Sequence, residues 1–134
     1  MKSNAEAASG RRMLLAFAHP DDESFGMGAT IANYAEQGVE ITLVCSTNGD
    51  AGTVDESYLE NHQSVAEIRL AELACAAETL GIKEVITYGY RDSGMMGTPE
   101  NELPGTFWQA SLDEATARLL EIVREVKPQV IVSY

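Results

Sequence analysis

Cysteine is nearly absent from the 134 residues: Cys45 and Cys75 are the only two, each inside an apolar stretch where a thiol packs as a small hydrophobe. A disulfide framework is excluded. Cations are scarce as well, with nine Lys and Arg against 21 Asp and Glu, a formal net charge of −12 at pH 7. Three of the positives, Lys2, Arg11 and Arg12, fall in the first twelve residues, so the body from Met13 onward carries six cationic against twenty acidic side chains. Such a surface repels phosphate backbones and anionic headgroups. Nucleic acid and membrane surfaces are therefore not expected partners, and a neutral or metal-borne ligand fits better. Long apolar runs are missing too. The first, Met13 to Ala18, is too short for a signal-peptide core or a bilayer span, which makes a cytoplasmic location the expectation.

What is present is an ordinary globular composition, 45% hydrophobic and 22% charged, which places most of the chain in one domain. The polar leader of residues 1–12 is expected to be loose, and 13–134 to form the domain. MLLAFA (13–18) reads as a buried strand, and Glu23 to Gln37 as a helix closed by Gly38 in a left-handed cap. EITLVCS (40–46) is a second strand. Residues 48–60 lack periodicity and read as a loop whose acidic groups are solvated, or attract a cation. Over 61–80, Ala66, Leu70, Leu73, Ala77 and Leu80 line one helical face, and Gly81 stops it. EVITY (84–88) is a third strand, and the 89–110 loop is long enough to suggest function. Ser111 with Glu114 predicts a capping box, opening a helix whose stripe is Leu112, Ala115, Leu119, Ile122 and Val126. Pro128 ends it, and QVIVSY (129–134) is a fourth strand.

This alternation predicts an α/β, Rossmann-like three-layer domain with a parallel sheet in the order 3-2-1-4 and right-handed crossovers. Ligands in such folds bind beyond the carboxyl ends of the strands flanking the switch point, here the first and fourth. The apolar edge of QVIVSY leaves self-association into a homo-oligomer open.

His19-Pro20-Asp21-Asp22-Glu23 falls at that edge. His19 and Asp22, three apart in a turn that enters a helix, can converge on one cation, and imidazole nitrogen and carboxylate oxygen both suit zinc. Asp21 between them is placed to act as a general base toward metal-activated water. Pro20 biases His19 toward an extended backbone. The same residues also fit a plainer reading, in which Asp22 or Ser24 caps the helix, the carboxylates favour its dipole, and His19 is a satisfied strand-end residue.

AHPDDE after an apolar strand resembles the LmbE-like (PIG-L) zinc deacetylases, which remove acetyl from N-acetylglucosaminyl compounds. Arg69 and Glu72 in IRLAELACAAETLGI are similar to the family's second helix. GYRDSGMMGT is similar to its loop after strand three, in the branch serving mycothiol-type thiol metabolism. The resemblance spans Met13 to Tyr134. It implies Zn²⁺ as cofactor, His19 and Asp22 as metal ligands, Asp21 as general base, Arg69 and Asp92 as contacts to sugar hydroxyls, and a small-molecule aminosugar as substrate. It also implies a glycine-rich loop with a His-Pro-Asp-His type motif after strand four, carrying the last zinc ligand and an oxyanion-assisting histidine. On that pattern the chain is the N-terminal part of one deacetylase domain. Without the resemblance, Arg69 is a partner for Glu72 on a solvated helix face and Asp92 a turn residue before Ser93-Gly94. His62 reads as a surface histidine, and Trp108 as a sheet-edge packing residue or a lid aromatic. Two rival readings are a receiver-like phosphoacceptor domain and a non-catalytic module that binds a partner along strand four.

Overall fold

The computed structural model describes residues 10–134. Its elements are β1 (Arg12–Phe17), α1 (Asp22–Glu36), β2 (Glu40–Thr47), a single turn α2 (Glu56–Leu59), α3 (Val65–Leu80), β3 (Glu84–Tyr90), α4 (Leu112–Val126) and β4 (Val130–Val132). The strands form one sheet in the order β3-β2-β1-β4, every neighbouring pair parallel. Class and order are those expected. Most of the 1–12 leader lies outside the described residues, and β1 already begins at Arg12.

Both faces of β1 and β2 are covered, which is why their sequences run apolar instead of alternating. Met13, Leu15, Phe17, Ile41, Leu43 and Cys45 point to one face and pack with Ile31 of α1 and Leu73 and Ala77 of α3. Leu14 and Val44 point to the other and meet Ile122 of α4. The period-2 geometry of a strand sends alternate side chains into the two layers. The crossing of α1 and α3 needs Gly81, since a Cβ there would lie 2.8 Å from that of Ala35, and its φ of +75° is in the left-handed region.

Several local expectations are corrected. Helix α3 starts at Val65 and not at residue 61, because Ser64 is its cap: the hydroxyl accepts the Glu67 N–H at 3.2 Å, and Glu67 accepts the Gln63 N–H at 2.6 Å. The 48–60 segment contains the turn α2, capped by Asp55. Ser111 makes no capping bond through its side chain. Glu114 is drawn away to the Tyr90 hydroxyl, which donates to it at 3.3 Å. Leu112 is 81% exposed, and Val123 replaces it beside Leu119, Ile122 and Val126. Cys75 is exposed although Cys45 is buried. Trp108 projects into solvent and does not pack on the sheet edge. No helix among the described residues is long and apolar enough to cross a membrane.

Candidate active site

At the carboxyl end of β1 the chain is held from the neighbouring strand. The Thr47 N–H and hydroxyl both donate to the Ala18 carbonyl, each at 2.9 Å. The next residue is His19, whose N–H donates to Oδ2 of Asp22 at 2.8 Å, a local bond that closes the turn into α1. Asp22 therefore folds back on the turn instead of capping the helix. The cap position belongs to Asp21, which makes no side-chain capping bond. The imidazole of His19 lies between two carboxylates, with Nδ1 3.7 Å from Asp22 and Nε2 3.4 Å from Asp92.

Asp21 has φ 112° and ψ −23°, in a region that side-chain-bearing residues rarely occupy. Backbone of this kind costs on the order of 1–3 kcal/mol and persists where its surroundings over-determine it. Two groups do so here. The Asp21 N–H donates to Oε2 of Glu23 at 3.1 Å, and Glu23 is 1% exposed, its other oxygen accepting from the Ser24 hydroxyl. The Asp21 carboxylate is gripped by Arg69, whose Nη2 donates to it at 2.7 Å and also to the Pro20 carbonyl. Nη1 of Arg69 lies 3.2 Å from Glu72. The expected i, i+3 pair is thus real, but the guanidinium also reaches across to the turn after β1.

Asp92, at the exit of β3, faces His19 while its Oδ1 accepts the Gly94 N–H at 2.9 Å, so the turn reading and the cleft reading both hold. Its backbone meets Asp50, which accepts the Asp92 N–H at 2.7 Å and the Nε–H of Arg91 at 3.1 Å. Asp50 is therefore not one of a set of solvated acids. Nothing in the local sequence distinguished it, because its partners are 41 and 42 residues away.

His19, Asp21, Arg69, Asp92 and Met95 line one open cleft of ≈540 Å³. Tyr134 lies outside this cleft: largely exposed, it stacks on Phe17 at 5.5 Å, and partial desolvation together with the neighbouring Asp22 and Asp21 holds its phenol above the ordinary range. A second cavity of ≈240 Å³ beside α4, lined by Phe17, Tyr88, Phe107, Leu119 and Tyr134, contains no His, Asp or Glu. His62 lies 3.9 Å from Glu67 at the start of α3 and does not line the cleft.

The donors near the cleft fit zinc in kind, imidazole nitrogen from His19 and carboxylate oxygen from Asp22. Among the described residues no group of three His, Cys, Asp or Glu is arranged around a common metal position. Cys45 is no substitute. Burial, with the Glu23 carboxylate adding to it, pushes its thiol up to about 12, so it stays protonated at neutral pH.

A histidine and a pair of carboxylates stand beyond the carboxyl end of β1 in a parallel α/β sheet, and comparison with known proteins says which class of protein carries such an arrangement. Residues 14–134 match the PIG-L family, described as GlcNAc-PI de-N-acetylase, and the chain belongs to it. A 1D-myo-inositol 2-acetamido-2-deoxy-alpha-D-glucopyranoside deacetylase of Catenulispora acidiphila is 48% identical over 97% of this chain and 43% of its own length. Among solved structures, the N,N'-diacetylchitobiose deacetylase of Pyrococcus horikoshii is 32% identical with a TM-score of 0.70, covering 96% of this chain and 42% of that one. The 4-carboxy-2-hydroxymuconate hydratase of Pseudomonas putida KT2440 is 26% identical with a TM-score of 0.68, covering 92% and 47%. The chain spans less than half the length of the curated relatives it matches. Family membership removes the receiver-domain reading.

Proposed function

We propose that this chain carries the His19-Asp21-Asp22 part of a zinc-dependent N-deacetylase that hydrolyses the N-acetyl amide of an N-acetylglucosaminyl compound, of the glucosaminyl-inositol type named for its relatives. The observation that supports it most is the convergence of His19 and Asp22 beside a carboxylate, Asp21, that Arg69 and Glu23 hold from two sides. His19 and Asp22 would hold the ion, and a third protein ligand from outside this chain belongs to the proposal. Zinc, when bound, supplies polarisation of a carbonyl and acidification of water. Asp21 accepts the proton that water loses as its oxygen adds to the acetyl carbon. The C–N bond then breaks, the proton passes to the departing nitrogen, and acetate and a free amine leave. Asp92 accepts hydrogen bonds from sugar hydroxyls. Arg69, anchored on Asp21 and the Pro20 carbonyl, holds the base in place and offers the sugar its remaining N–H groups. Recognition by hydrogen bonding is consistent with an acidic cleft and a neutral, hydroxyl-rich ligand.

A hydratase shares this fold, which shows that fold alone does not decide the reaction. Amide hydrolysis is preferred because the 48% identical relative is a deacetylase whereas the hydratase is 26% identical. Incubation of the whole protein with the N-acetylglucosaminyl-inositol compound should release a primary amine. Chelation should stop the release and added zinc restore it. No amine, or amine release that survives complete removal of metal, would contradict the proposal.

A further inference from the structure

The loop after β2 is wedged among the three segments that build the cleft. Its Asn48 N–H donates to the Tyr90 carbonyl at 3.0 Å, tying it to the end of β3. Its Gly49, at φ +68°, is so close to the first turn and to α3 that a Cβ would sit 3.2 Å from Pro20 and 3.5 Å from Arg69. Asp50 follows, its own N–H donating to the Asn48 side chain at 3.2 Å, and directs both carboxylate oxygens at the exit of β3. One oxygen takes the main-chain N–H of Asp92 at 2.7 Å and the other the Nε–H of Arg91 at 3.1 Å. Asp50 does not itself line the cleft, whereas Asp92 does.

We propose that Asp50 is a positioning residue: it fixes the backbone of Asp92, and through it the carboxylate that faces His19 and the substrate. A hydrogen bond to an ionised acceptor is shorter and stronger than a neutral one, and the 2.7 Å bond to Asp92 is of that kind. The Arg91 contact is an exposed ion pair and adds little. Without Asp50 the Asp92 N–H loses its acceptor, and the Asp92 carboxylate, then held only by the Gly94 N–H, is less tightly kept in its place 3.4 Å from Nε2 of His19. The inference deepens the deacetylase reading and rests on it for its kinetic consequences.

In the whole protein, Asp50→Ala should lower kcat/KM for the N-acetylglucosaminyl substrate about ten- to a hundredfold, the cost typical of a displaced positioning group, with zinc stoichiometry unchanged. Asp50→Asn, which keeps an oxygen for the Asp92 N–H, should recover most of the loss, and Arg91→Ala should stay within about twofold of the native protein. In an Asp92→Ala background, Asp50→Ala should add less than about twofold, because its target is already gone. Full multiplication of the two effects, or an Arg91→Ala loss equal to that of Asp50→Ala, would overturn the proposal. If the alanine variant does not fold, Asp50→Ser takes its place in the cycle. If the native protein releases no amine, the deacetylase reading fails alone, and nitrogen NMR of the His19 ring still decides. Asp50→Ala should shift the Nε2 resonance although Asp50 does not touch His19, and an unmoved resonance would refute the positioning role.

Discussion

Along β1 and β2 the chain buries Leu14, Leu15, Ile41, Leu43 and Val44 to 1% exposure or less, yet just past the end of β1 it sets His19, Asp21 and Asp22 at a partly open edge. The interior is assembled from contacts that strand and helix periodicity dictate. The edge is assembled from polar contacts between distant residues: Arg69 to Asp21, Asp92 to His19, Asp50 to Asp92. The core thus depends on volume and area, and the edge on orientation. A substitution in one region should therefore leave the other's observable nearly untouched.

The largest separation is expected from the ligands. His19→Ala and Asp22→Ala should each lower zinc affinity by more than the roughly 10- to 100-fold that loss of an outer-shell partner costs. Activity should fall in step and be partly rescued by excess zinc, with thermal stability nearly unchanged in His19→Ala and lower by about 1 kcal/mol in Asp22→Ala, which also loses the acceptor of the His19 N–H. Calorimetry with zinc beside a melting curve checks this, and a collapse of stability without loss of affinity would break the comparison. Leu43→Ala should do the reverse. It removes a fully buried side chain from the α1/α3 face and should cost about 2–5 kcal/mol in denaturant unfolding, with kcat/KM little changed under folding conditions.

A smaller effect is expected where the regions meet. Arg69→Ala should reduce kcat/KM by the equivalent of about 1.5–3 kcal/mol, the worth of a hydrogen bond to a charged group, at unchanged zinc stoichiometry. A variant that lost stability and kept its kinetic constants would return Arg69 to a purely structural pair. The smallest is a labelling contrast. Exposed Cys75 should react with a thiol reagent in the folded protein, and buried Cys45 only after unfolding. The Cys45 thiol is raised from 9.0 to about 12 on folding, so its contribution to stability is complete below pH 9 and is lost as pH rises toward 12.

The interior was legible in the sequence. MLLAFA and EITLVCS announce strands buried on both faces, Gly38 takes the left-handed conformation expected after α1, and Gly81 ends α3 as expected. Errors arose where tertiary contacts overrode a local signal, as when Tyr90 captured Glu114 and left the Ser111 box unformed. At the edge, the types and spacing in His19-Pro20-Asp21-Asp22 drew attention to the turn, but not its geometry. The left-handed backbone of Asp21 depends on a buried neighbour and on an arginine 48 residues away. Asp50 carried no local signal, because what ties it to the site is the crossover topology that brings the ends of β2 and β3 together.

On the proposed function, Asp21 acts as a base beside the metal and not as a ligand to it. In the whole protein, Asp21→Asn should retain zinc at native stoichiometry while deacetylation falls by about 10²–10⁴-fold, the usual worth of a positioned general base. Loss of zinc in proportion to loss of activity would contradict it and place Asp21 among the ligands.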